Sequence, residues 1–123
     1  MIRYDPKMDP GQLEDWPFDN PASCYQIIRG TPRASGRIDH QNPERTTRTG
    51  IWRCTAGAFQ CIEQGDELMT VLSGHCLLTD HDTGQTHDLN PGDTLFIQGG
   101  TRVTWDVLED ITKVFYGHKL DGY

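Results

Sequence analysis

From residue 50 onward, short apolar runs alternate with turn residues, and this rhythm sets the fold expectation. Residues 51–54 end at Ala56-Gly57, 59–63 at Gln64-Gly65-Asp66, 67–72 at Ser73-Gly74, and 75–79 at Asp82-Thr83-Gly84. Asn90-Pro91-Gly92-Asp93 precedes a run at 94–97, Gln98-Gly99-Gly100 precedes 101–108, and 111–116 is the last run. Strands recurring at such intervals predict an all-β sandwich or barrel. The clearest alternation sets Val103, Trp105 and Val107 on one face against Arg102, Thr104 and Asp106 on the other, a strand with one buried and one wet side. The first fifty residues read differently. Pro6, Pro10, Gly11, Pro17, Pro21, Pro32 and Pro43 punctuate them, and only 24–28 has strand character. Residues 1–23 are therefore expected as an extended arm whose first twenty residues lie outside the barrel, 30–49 as a loop or irregular hairpin, and 24–123 as a single domain.

The 123 residues suit one domain that needs neither metal nor disulfide to fold. No segment approaches the length of about 20 apolar residues that a membrane helix requires. No apolar signal core follows Met1-Ile2-Arg3-Tyr4-Asp5, so a cytoplasmic protein is expected. Cys24, Cys54, Cys61 and Cys76 form no C-x-x-C pair and read as thiols in a reducing compartment. The net charge of −7 argues against nucleic acid or an anionic membrane as partner. That charge resides wholly in residues 51–123, while the first fifty balance theirs. Arg29, Arg33, Arg37, Arg45, Arg48 and Arg53 therefore face an acidic barrel, either their own or that of a second copy.

Several motifs bear on family. Glu67 and Gly74 have the spacing that ends the first cupin signature. Gly92-Asp93 followed by Gln98-Gly99-Gly100 has the outline of the second, with Val103 where its histidine would stand. Together with Gly50-Ile51-Trp52, Thr55-Ala56-Gly57, Phe59, Trp105 and Lys113-Val114-Phe115-Tyr116, the chain resembles small single-domain cupins grouped with ureidoglycine aminohydrolase and the ethanolamine-utilisation cupins. The resemblance implies a double-stranded β-helix, the jelly-roll cupin barrel, with a pocket between its sheets. Metal cupins bind their ion through three histidines and the Glu. Counting back from Glu67 puts the first two histidine positions at Gln60 and Ile62, or at Cys61 and Glu63 in a shorter spacing. Neither pair holds an imidazole, so no metal or other cofactor is expected, a mixed Cys61, Glu63 and Glu67 set being the remaining alternative.

Two charges stand out on apolar strands. Glu67 shares a face with Met69 and Val71, and Lys113 lies between Ile111 and Phe115. Buried charges need compensation. The two are read as a catalytic acid–base pair in the pocket, or else as a structural ion pair at the barrel mouth. A desolvated lysine can also serve as base or amine nucleophile. Trp52 and Trp105 are core residues or walls that stack on a planar ligand, and Gln60, Cys61 and Val103 are placed beside them as ligand-binding positions. His81 and His87 flank a turn and could face each other as an adventitious Ni or Zn pair. The functional expectation is a metal-independent cupin that binds or transforms a small polar metabolite, by proton transfer or hydrolysis. The alternative is a non-catalytic binding, sensing or accessory protein. A homodimer is expected in either case, with strand 25–28 pairing on a sheet edge of another copy, or folding back on its own barrel in a monomer.

Overall fold

The computed structural model describes all 123 residues and is built almost entirely of strands. In chain order they are β1 (Glu14–Asp15), β2 (Gln26–Arg29), β3 (Ala34–Gln41), β4 (Thr47–Cys54), β5 (Gly57–Ile62), β6 (Asp66–Asp80), β7 (Thr86–Leu89), β8 (Thr94–Ile97) and β9 (Arg102–His118). No helix is long and apolar enough to cross a membrane. The long strands β6 and β9 pair antiparallel from Asp66↔His118 to Asp80↔Val103. On its other edge β9 takes β4 along its C-terminal half and β5 along its N-terminal half. On the far edge of β6, β8 and β7 divide the strand in the same way. Two sheets thus share two bent strands, β1-β3-β4-β9-β6-β8 and β2-β5-β9-β6-β7, and one apolar cluster between them joins Met69, Val71 and Phe115 to Phe59, Val103 and Trp105. This is the expected all-β jelly roll.

The bends explain where the strand boundaries differ from the sequence pattern. Residues 67–72 and 75–79 are one strand, broken only by bulges between Val71 and Cys76. Gly74 sits in that bend at φ +87°, and a Cβ there would lie 2.1 Å from the Asp110 carbonyl, so the corner requires glycine. Residues 101–108 and 111–116 are likewise one strand. Exposed Leu108, Glu109 and Asp110 interrupt the apolar alternation, yet Val107, Ile111, Lys113 and Phe115 keep the same inward phase.

The irregular hairpin expected at 30–49 is β3 and β4, with a register shift between Ile38 and His40, and β4 starts at Thr47 rather than at residue 51. Strand β2 folds back on β5 of its own barrel and forms an exposed edge, with Arg29 bonded to Asp106 at 2.5 Å. His87 stands opposite Leu78 while His81 bonds Thr104, so these two histidines do not face each other as pictured.

The arm is extended but not detached. β1 pairs with β3, the Arg37 guanidinium bonds the Pro10 carbonyl, and Tyr4 donates to Asp39 at 2.7 Å. Trp16 lies on Gly36 and meets Phe115 in a T-shaped pair, and Phe18 lies on Phe59 and Tyr25. The first twenty residues therefore do not stand clear of the barrel as expected: the earlier ones lie along β3, and residues 15–20 strap the mouth. A Cβ on Gly36 would fall 2.3 Å from the Trp16 ring. Gly36→Ala should displace Trp16 and cost about 1–3 kcal/mol. Chemical denaturation measures that cost. Limited proteolysis reads the loosened strap as faster cleavage before residue 25, and an unchanged cleavage rate would refute this account of the arm.

Candidate functional site

One cavity of about 430 Å³ opens at the strapped end of the barrel. Three rows of paired backbone place its floor. Arg48 on β4 and Glu67 on β6 both stand opposite Gly117 of β9, and the next inward row is Gly50, Phe115 and Met69. Trp52, Lys113 and Val71 follow, so period-two alternation aims Glu67 and Lys113 to one face. The Lys113 ammonium donates to Glu67 Oε2 at 2.5 Å and to Met69 Sδ at 3.8 Å. It also lies 4.7 Å from the ring centres of both Trp52 and Trp105. Lys113 is only 4% exposed, so its charge is satisfied by a carboxylate and two aromatic faces rather than by water.

The second sheet supplies the opposite wall. Phe59, Cys61 and then Glu63 step inward along β5 and just past its end. Glu63 Oε1 accepts the Trp105 indole N–H at 3.0 Å and faces the Cys61 thiol at 3.7 Å. Burial pushes the Glu63 carboxyl above its ordinary value near 4.5, and the negative charge of Glu67 pushes it further. Lys113 and the Trp105 N–H oppose the shift without cancelling it. Glu63 is the functional candidate that the sequence placed only within a metal set. The inward steps at Phe59 and Cys61 were the available signal for it. Burial also raises the Cys61 thiol, so it keeps its proton and is no nucleophile.

The arrangement separates the other sequence candidates. Glu67, Lys113, Trp52, Trp105 and Cys61 line one cavity. Gln60 does not: it points to the outer face and bonds Gln26 across β2 and β5. Val103 is 2% exposed and packs within the apolar core, so it is corrected from a ligand-binding to a packing residue. Sequence reasoning also missed Arg48, Trp16, Phe18 and Tyr25, all of which line the cavity. The Arg48 guanidinium lies 3.8 Å from the Tyr123 ring centre, and its Nε is buried without a hydrogen-bond partner.

The residues do not fit the metal of histidine-bearing cupins. No group of three His, Cys, Asp or Glu side chains is arranged to hold an ion. Of the donors nearest the expected position, Cys61 is a protonated thiol and Glu67 already carries the Lys113 ammonium. A divalent cation would have to displace that ammonium.

Glu63 makes stability depend on pH in a direction opposite to an ordinary paired carboxylate. Between the unfolded value near 4.5 and the raised folded one, the folded chain binds more protons than the unfolded chain. This contribution therefore falls as pH rises through that window and levels above it. Glu63→Gln should remove the slope. Denaturation of both proteins from acid to neutral pH should show the variant gaining on the parent as pH rises, and a constant difference would contradict it.

Comparison with known proteins places this geometry in a family. Residues 41–115 match the EutQ-like cupin domain. A putative ethanolamine utilization protein Q from Salmonella typhimurium superposes with a TM-score of 0.61 at 16% identity, over 70% of this chain and 69% of that one. The Clostridium difficile EutQ protein gives 0.64 at 15% identity, over 74% and 71%. A protein of unknown function from Pseudomonas syringae pv. tomato gives 0.70 at 22% identity, over 89% of this chain and 46% of that one. At these identities the likeness shows the fold. No curated protein matches the sequence.

Proposed function

The chain belongs to the EutQ-like cupin family, and on that premise we propose that its cavity binds a small polar metabolite without a metal, with Glu63 as the group that exchanges a proton with it. The observation that carries this reading is the contrast between two neighbouring carboxyls. Glu67 is fixed by Lys113 at 2.5 Å, whereas Glu63 has only an indole N–H and a thiol beside it. A pair bound that tightly is a poor catalytic couple, since each member neutralises the other. Its role is to hold the floor of the cavity and set the field that Glu63 experiences. A carboxyl raised by burial is suited to general acid or base work, or to donating a hydrogen bond to a bound ligand.

A thermal-shift screen over ureides, amino acids, sugars and aromatic acids tests the reading. A stabilising compound that is consumed makes the protein an enzyme of proton transfer or hydrolysis, and one recovered unchanged makes it a binding or sensing protein. No stabilising compound, or one whose effect survives both Glu63→Gln and Trp52→Ala, would overturn the site. Self-association belongs to the same proposal, with β2, an exposed edge strand, as the place where a second copy pairs. Light scattering that returns a single-chain mass near 13.9 kDa at every micromolar concentration would exclude the dimer.

A further inference from the structure

The cavity contains more acid than base, and the excess is placed against aromatic faces. Its lining carboxyls are Asp15, Asp19, Glu63 and Glu67, against the cations Arg48 and Lys113. Lys113 is taken up by Glu67, and Arg48 is stacked on Tyr123. That leaves Glu63 inside, with Asp15 and Asp19 exposed at the mouth, where negative charge draws cations inward.

The walls already demonstrate what they accept. The Lys113 ammonium sits over the rings of both Trp52 and Trp105 and bonds a carboxylate, a setting in which the ring faces and the acid together replace water. Glu63 repeats half of that setting. Its carboxyl touches the edge of the same Trp105, and the Phe18, Tyr25 and Phe59 rings line the space beside it, but no protein cation reaches it. From this juxtaposition we infer that the ligand of the cavity is a small organic ammonium compound whose cationic nitrogen pairs with Glu63 against the aromatic wall. The inference rests on the pocket reading above and adds the class of ligand. Lys113 and Glu67 from β9 and β6, Cys61 from β5 and Tyr25 from the segment before β2 are the titratable groups that face Glu63. None of them offers it a direct ion pair.

Three probes of one shape and different charge decide it: benzylamine, benzyl alcohol and benzoate, each titrated into the full chain. The readout is the Trp105 indole N–H resonance, identified by its loss in Trp105→Phe. Benzylamine should move that resonance and bind about tenfold or more tightly than benzoate, as expected for a charge-assisted bond. Glu63→Gln should erase that preference, bringing benzylamine to within about twofold of benzyl alcohol. The dispersion of the same spectrum reports whether the variant is folded. Binding by benzoate or benzyl alcohol with no preference for the amine, or an amine preference that survives Glu63→Gln, would overturn the ammonium class and leave the pocket reading intact. If none of the three moves the Trp105 resonance, both fall together.

Discussion

Lys113→Met should destabilise the protein by about 3–5 kcal/mol, because it strands the Glu67 carboxylate without its cation. The lysine is 4% exposed and the Glu67 side chain 19%, so water can compensate only the acid, and only in part. Arg48 stands across Gly117 from Glu67 and supplies a more distant positive charge, which favours the lower end of that range. Glu67→Gln is the milder change, since the ammonium keeps the faces of Trp52 and Trp105. Replacing both residues by apolar ones of similar volume should cost less than Lys113→Met alone, because no buried charge is then left unpaired. Urea denaturation of the two single variants and the double variant measures the coupling. A loss below about 1 kcal/mol for Lys113→Met would mean that the pair is solvated like a surface ion pair.

How much of this could be read in the sequence depends on whether the signal was local. Glu67 and Lys113 were legible because each is a charge in phase with apolar neighbours on its own strand, and a two-residue period fixes the face whatever the partner strand. Trp52 and Trp105 were legible for the same reason. Gln60 was misplaced because two ligand spacings were open, and only the inward burial of Cys61 and Phe59 selects between them. Val103 was in phase but at the wrong depth: alternation gives the side of a sheet and not how far along the barrel the open space extends. The strap was lost for another reason. Trp16 and Phe18 alternate about the single residue Pro17, a faint strand signal, but the prolines here remove the ladder that would carry it. What they cover is set by Gly36, Phe115 and Phe59, which are distant in the chain. Strand length failed similarly, since the bulges that bend β6 and the exposed 108–110 corner of β9 look like turns when seen without their partner strand.

Trp105 joins the two halves of the site, and its removal should be as costly as that of the buried lysine. It is 2% exposed, stacked on Phe59 with ring centres 6.4 Å apart and tilted against Trp52 at 5.2 Å. Trp105→Ala should therefore cost about 3–5 kcal/mol, the transfer and cavity terms of a large core aromatic. It should also leave Lys113 with one aromatic face instead of two. Trp105→Phe separates packing from polarity, because it keeps a ring between Phe59 and Trp52 but removes the N–H that Glu63 accepts. That N–H favours the ionised carboxylate, so its loss should raise the Glu63 pKa further. The pH range over which the folded chain holds an extra proton widens at its alkaline end, and stability should keep falling with pH beyond the point where the parent levels off. Glu63→Gln in the Trp105→Phe background should abolish the extension. Denaturation across the pH range reads both effects, and a Trp105→Phe profile parallel to the parent would mean that the indole does not govern the Glu63 proton.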